Sequence, residues 1–221
     1  MNDASESLVI FGVSNMLGDI FDCAIALDIR IGAVVMNQPE VKRERTKTVS
    51  ERLEALKRPV QLLELEHFRR SERECFCIGT TAPERTELVD LLRSRFSLTF
   101  VSLIHPTAYV SPLASVGEGV FVGAKSVIGP GAHLGDFSFV NRGVTVGHDT
   151  RIGPFARLQP GCNIGGHVVI GKGATIGIGA SVIQELRVGA RAMVAAGAVV
   201  LRDVEEATLV AGVPAEFKKS V

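Results

Sequence analysis

A chain of 221 residues with 46% hydrophobic and 22% charged residues can build a sizeable core, in one large domain or two modest ones. Its 24 basic residues balance its 24 acidic ones and form no long stripe, so no net field gathers nucleic acid or an anionic membrane. The start, Met1 to Ser7, is polar where a secretory signal is basic and then apolar, and no run approaches the ~18 apolar residues of a membrane span, so a cytoplasmic protein is expected.

Ser7 to Phe11 is an apolar run closed by Gly12, and Leu17, Ile20, Phe21, Ala24 and Leu27 follow at helical spacing. Ile31 to Met36 reads as a second strand ending at Asn37. The charged segment Val41 to Lys47 comes next, with Lys42, Arg43, Arg45 and Lys47 either solvated or reaching phosphates. Thr48 and Glu51 have the spacing of a capping box for a short helix to Lys57. Val60 to Leu63 and Cys75 to Ile78 are further strands, and Thr81, Pro83 and Glu84 open a third helix through Leu88, Leu91 and Leu92. Strands alternating with helices over residues 1–103 predict an α/β unit, a half-size Rossmann-like domain with a parallel sheet.

Such sheets bind ligands beyond the carboxyl ends of their strands, which makes Gly12, Ser14, Asn15, Asn37, Gly79 and Thr80 the candidate substrate-binding residues. The turn Gly12-Val13-Ser14-Asn15-Met16-Leu17 keeps one glycine of a G-x-G-x-x-G fingerprint, which argues against a full dinucleotide. Two readings stay open: backbone N–H groups there hold a diphosphate, or Ser14 or Asn15 simply caps the helix.

From Ile104 to Glu205 the chain reads as seventeen six-residue units without insertion, each opening on an aliphatic residue. The second position is Gly in ten of them, and the fifth is mostly small. A fixed period of six, with a large inward residue, a small corner residue and a flexible glycine, is the mark of a hexapeptide β-helix. Three units close one coil, so residues eighteen apart stack, and five to six coils at ~4.8 Å each make a column roughly 27 Å long. Residues 206–221 form a terminal cap segment. Phe121, Phe137, Phe139 and Phe155 fall on one face of the column, with Phe121 and Phe139 expected to point outward, for a subunit contact or, as the alternative, packing of the N-terminal domain.

Cysteines at 23, 75, 77 and 162 have neither C-x-x-C spacing nor the density of a disulfide framework. Cys75 and Cys77 share one strand face as buried thiols, and Cys162 fills an inward position as core, not as a nucleophile. Of the histidines at 67, 105, 133, 148 and 167, the first two read as structural. His148 falls at a corner of the column, where an exposed imidazole can take a proton from an amine or hydroxyl nucleophile. Asp149 beside it can orient the ring and stabilise the imidazolium.

The Gly12-Val13-Ser14 turn, Leu103-Ile104-His105, Asn141 seven residues before His148, His148-Asp149 followed by Ile152-Gly153, Gly177-Ile178, and Ala211-Gly212-Val213-Pro214-Ala215 carry a resemblance. Over nearly its full length the chain resembles the nucleotide-sugar acetyltransferases of the sialic-acid O-acetyltransferase and bacillosamine N-acetyltransferase type. The resemblance implies a left-handed column, a homotrimer, and acetyl-CoA as cosubstrate lying between adjacent subunits, with Gly166, Ile178 and Ala196 beside the pantetheine. It implies His148 as general base, Asp149 as its tuning acid, Asn141 near the acceptor sugar, and a nucleotide sugar, UDP-linked, held by the Gly12 turn, Asn37 and Gly79. Arg157 stands near the thioester where the bacillosamine enzymes have a second histidine, and Asn37 stands where they carry acidic residues.

The reading is direct acetyl transfer to an amine of a nucleotide-linked amino sugar; the alternatives are transfer to a sugar hydroxyl and a non-catalytic trimeric nucleotide-binding scaffold. A sugar nucleotidyltransferase would need a longer catalytic domain and a glycine-rich loop. Trimeric γ-type carbonic anhydrases share the hexapeptide column but bind zinc with two histidines five apart, a spacing not found here. His148 and His167 are nineteen apart, one coil plus one residue, an offset that argues against shared ligation, so no metal is expected.

Overall fold

The structure is a computed structural model describing residues 7–40, 46–81 and 84–221. It divides into two compact units, Met1–Val101 and Ser102–Val221, two residues before the expected boundary, because Leu103 already pairs with Phe121 in the ladder. No helix among the described residues is long and apolar enough to cross a membrane.

In the first unit, strands β1 (Ser7–Phe11), β2 (Arg30–Met36), β3 (Gln61–Glu64) and β4 (Glu74–Ile78) form a parallel sheet in the order β3-β2-β1-β4. The continuous apolar run of β1 suits a central parallel strand, and Leu8 to Phe11 are all buried. Phe68 packs edge-on against Phe11 at 4.9 Å. Helix α1 (Leu17–Ala26) buries Leu17, Ile20, Phe21 and Ala24, while Leu27 falls just past its end and is exposed. Helix α2 (Val49–Ala55) starts at the expected capping box, with Glu51 N–H donating to Thr48 Oγ1 at 3.2 Å and Thr48 N–H donating to Glu51 Oε2 at 2.7 Å.

Helix α3 (Arg85–Phe96) begins later than expected, with Glu84 at the cap position and no side-chain cap bond. Its buried stripe is Arg85, Leu88, Val89 and Leu92, which leaves Leu91 exposed. Pro83 and the cations Lys42, Arg43 and Arg45 lie outside the described residues.

The second unit is a left-handed parallel β-helix. Its seventeen two-residue strands, β5 (Leu103–Ile104) to β21 (Val199–Val200), recur every six residues and pair eighteen apart, as in Val146 with Ile164. Their aliphatic second residues and the small fifth-position residues, among them Ala156, Cys162 and Ala174, fill the core. The second-position glycine serves close stacking rather than flexibility: a Cβ on Gly147 would lie 2.5 Å from the backbone of Gly165 and Gly166. The left-handed backbone belongs to the fourth position, at φ 55° for Asp149 and 57° for His167.

Two expectations for the column change. The eighteen-residue register stops at Val200: Val204 bridges Val188, and Leu209 in β22 (Thr208–Ala211) pairs with Met193, both sixteen apart. Asp203 Oδ1 accepts the Arg187 N–H at 2.8 Å, so a carboxylate replaces a ladder carbonyl and the coil shortens before Glu205. Strand β23 (Glu216–Ser220) then folds back antiparallel on β22. The phenylalanines do not form an exposed patch: Phe121 and Phe139 are 7% and 5% exposed and stack at 4.7 Å, and Phe137 covers the bare Cα of Gly119.

All four cysteines are free. Burial pushes the Cys162 thiol up to about 12, burial with Asp22 nearby pushes Cys23 up to about 11, and burial raises Cys77 further. Cys75, expected to be buried with Cys77, is only half-buried because β4 is an edge strand. A thiol-reactive disulfide reagent near pH 8 is expected to titrate Cys75 alone in the native protein and all four after denaturation, read from the absorbance of the released thiolate.

Candidate active site

In the first unit the carboxyl ends of β1 and β4 meet where the strand order reverses, and they bring Gly12, Ser14, Gly79 and Thr80 together. Gly12 turns at φ 82°, and the Thr80 methyl lies so close that a Cβ on Gly12 would stand 2.8 Å from it. Gly79 N–H donates to Phe11 O at 2.7 Å, and Ser14 Oγ donates to Gly79 O at 2.9 Å. Ser14 Oγ also accepts Met16 N–H at 3.2 Å, which closes the turn before α1 with the hydroxyl proton committed, while the helix's own cap position, Met16, has no side-chain cap bond. Asn15 is exposed beside it, and Asn37 follows the last residue of β2, one strand over from this junction.

In the column, β12 (Thr145–Val146) leads into a corner formed by Gly147, His148, Asp149 and Thr150 before β13 (Arg151–Ile152). His148 Nδ1 lies 2.9 Å from Asp149 Oδ2, with the two side chains 56% and 54% exposed. That bond assigns the proton to Nδ1 and leaves the Nε2 lone pair free. Asp149 is held by its N–H to Pro130 O at 2.9 Å, and its carboxylate lies over Gly131, where a Cβ would collide with it. Thr150 Oγ1 donates to Gly165 O at 2.7 Å and ties the corner to the next coil.

His167, which its spacing separates from His148, belongs to this corner. Its N–H donates to His148 O at 2.9 Å, its Nε2 is 4.0 Å from Asp149 Oδ2, and its ring meets that of His148 edge-to-face at 4.9 Å. The offset of one coil plus one residue pairs a third-position side chain with a fourth-position one, and the left-handed backbone of His167 turns its ring back to the same edge. One ligating atom from each of His148, Asp149 and His167 lies within 4.8 Å of the others. Glycines recurring at the fourth position, such as Gly131, Gly143 and Gly161, are the signal in the sequence that could have placed His167 here.

The other expected residues are distributed around the prism. Gly166 lies against the His148 ring: a Cβ there would stand 2.6 Å from His148 Nε2. Gly166→Ala is therefore expected to keep the melting temperature within a few degrees while lowering kcat by about 10-fold through displacement of the ring, measured by steady-state kinetics beside thermal unfolding. Ile178, 59% exposed, and Ala196 stack on the corner that precedes the face of β12, and His148 on the corner that follows it. Asn141, on the earlier corner of its own coil, is buried, with its Oδ1 accepting Arg142 N–H at 2.8 Å. Arg157 lies half-buried on the outer face of the strand Arg157–Leu158, its Nε donating to Thr175 Oγ1 at 3.0 Å.

A family model for the bacterial transferase hexapeptide, six repeats, matches residues 143–177, the coils that hold His148 and His167. A search of curated protein sequences gives no match. Among solved structures, the chain is similar over 100% of both chains to GDP-perosamine N-acetyltransferase from Caulobacter crescentus, with 27% identity and a TM-score of 0.83. That structure, a variant with one histidine replaced by alanine, is in complex with CoA and GDP-perosamine. The acetyltransferase domain of PglB from Neisseria gonorrhoeae FA1090, in complex with acetyl coenzyme A, matches at 26% identity and a TM-score of 0.81, over 97% of this chain and 100% of that one. WeeI from Acinetobacter baumannii AYE, at 20% identity and a TM-score of 0.75 over 96% of this chain and 99% of that one, shares the fold. The chain thus carries the bacterial transferase hexapeptide at the His148 corner and is similar, over nearly its full length, to a GDP-perosamine N-acetyltransferase and to the acetyltransferase domain of PglB.

Proposed function

We propose that the protein moves an acetyl group from acetyl-CoA to the amine of a nucleotide-linked amino sugar by direct transfer, with His148 as general base. The observation that carries this reading is the half-exposed His148 imidazole, held by Asp149 through Nδ1 and open at Nε2. As the neutral amine attacks the thioester carbonyl, Nε2 takes the amine proton; the C–S bond breaks and the CoA thiolate takes a proton back from the imidazolium. Asp149 stabilises the imidazolium in between. No buried nucleophile is needed, in keeping with Cys162 in the core.

The Gly12 turn, Asn15, Asn37, Gly79 and Thr80 are proposed to hold the nucleotide through backbone groups and side chains at the carboxyl edge of the sheet, with Ser14 shaping the turn. The UDP-sugar expected from resemblance now has a GDP-sugar as its rival, given the ligand of the Caulobacter enzyme. A homotrimer is part of the proposal, since Ile178 and Ala196 on one corner and His148 on another serve one pantetheine only when drawn from different chains. The face between those corners presents Tyr109, Val127, Thr145, Asn163, Ser181 and Val199, which carry no charge and suit a subunit contact better than the covered phenylalanines. Acetyl-CoA and sugar nucleotides are cytoplasmic, as are four free thiols.

The test is thiol release from acetyl-CoA with UDP- and GDP-linked amino sugars and their hydroxyl counterparts, with product mass as a second readout. Transfer to an amino sugar supports the reading, transfer only to a hydroxyl makes it an O-acetyltransferase, and binding without thiol release makes it a scaffold.

A further inference from the structure

We propose that His148, Asp149 and His167 together form a binding site for a divalent transition cation of the Zn2+ and Co2+ class, and that the bound cation holds acetyl transfer off. Two imidazoles and one carboxylate are the donor set such borderline ions prefer. Tetrahedral bonds of about 2.1 Å place ligand atoms ~3.4 Å apart. Around Asp149 Oδ2 the separations are 2.9 Å to His148 Nδ1 and 4.0 Å to His167 Nε2, and the three ligating atoms lie within 4.8 Å of one another. These values bracket the required one, and small rotations of half-exposed side chains close the gap.

The backbone under the site is fixed. His167 N–H binds His148 O, Asp149 N–H binds Pro130 O, and the glycines at 131 and 166 leave room where any Cβ would strike the carboxylate or the imidazole. Side-chain exposures of 54–56% leave the outer side open for water as a fourth ligand. A cation on either nitrogen of His148 leaves the ring without a basic lone pair, because a neutral imidazole ligated through one nitrogen carries its proton on the other. The effect on transfer rests on His148 being the base; the binding does not.

The test is a Co2+ titration of the whole chain after chelator treatment, followed by visible ligand-field absorption, beside an acetyl-transfer assay with added Zn2+. The expected result is saturation at one Co2+ per chain with the intense bands of a four- or five-coordinate ion, displacement by Zn2+, and affinity weakened by more than about 10-fold in both His167→Asn and Asp149→Asn. Zn2+ should stop transfer, a chelator should restore it, and His167→Asn should need correspondingly more Zn2+. Absorption that never saturates, or an affinity unchanged by His167→Asn, overturns the site. Saturable binding of this kind with undiminished transfer keeps the site and removes His148 as the base.

Discussion

Replacing His148 by alanine is expected to lower kcat for acetyl transfer by about 10²–10⁴-fold, the usual contribution of one positioned general base. The KM for acetyl-CoA should move little, because in the proposed mechanism the imidazole acts on the acceptor proton and not on the cosubstrate. The fold should be untouched: His148 is a half-exposed corner residue, and its coil is held by ladder bonds such as Gly147 N–H to Ile164 O at 2.8 Å. Asp149→Asn should cost less than His148→Ala, since an amide still orients Nδ1–H but no longer compensates the imidazolium. Steady-state kinetics on the amino-sugar nucleotide identified by the thiol-release panel supply the measurement. Turnover in His148→Ala equal to that of the wild type would remove the base assignment.

The column was legible because its period is strict, and period is a backbone property that survives without any knowledge of side-chain contacts. Val146 and Ile164 open their hexads and stack in register, and Cys162 takes the small inward place that its position in the unit predicts. The capping box at Thr48 and Glu51 was legible for a similar reason, since it is local and short. What spacing alone did not convey was direction. By spacing, the one extra residue before His167 is an angular offset from His148, whereas the left-handed fourth position turns its side chain to the edge occupied by His148. Phe121 and Phe139 alternate outward as strand geometry requires, yet they are covered in the folded chain, because outward from a strand is not outward from a protein. The break after Val200 was hidden because Val204 is aliphatic and Asp203 supplies the acceptor that the shortened coil lacks. In the first unit, Ser14 and Asn15 are readable as ligands or as caps, yet the cap position of α1 is Met16 with no side-chain cap bond, and the Ser14 hydroxyl instead joins Gly79 O to Met16 N–H.

Removing the inward side chain beneath the His148 corner should separate stability from geometry. Ile164 and Ile176 are both buried, and each opens one hexad of the column. Ile164→Ala and Ile176→Ala are each expected to cost about 2–5 kcal/mol from lost burial plus the cavity left behind. At about 2–4 °C per kcal/mol for a chain of this size, thermal unfolding should show the melting temperature falling by roughly 5–20 °C. The two differ in what lies over the cavity. Ile164 stacks on Val146 and opens the hexad that carries Gly166 and His167, so its loss slackens the turn against which His148 rests. Ile164 and Ile176 lie on two different faces of one eighteen-residue coil, so the pair asks whether a cavity under one face disturbs a corner held by another. Ile164→Ala should therefore lower kcat several-fold even well below its melting temperature, and Ile176→Ala, opening the hexad of Ile178 and Ala180, should spare kcat and act on the KM for acetyl-CoA. Equal loss of kcat in both variants would show that the coil transmits strain from face to face and that the corner is not held by its own face alone.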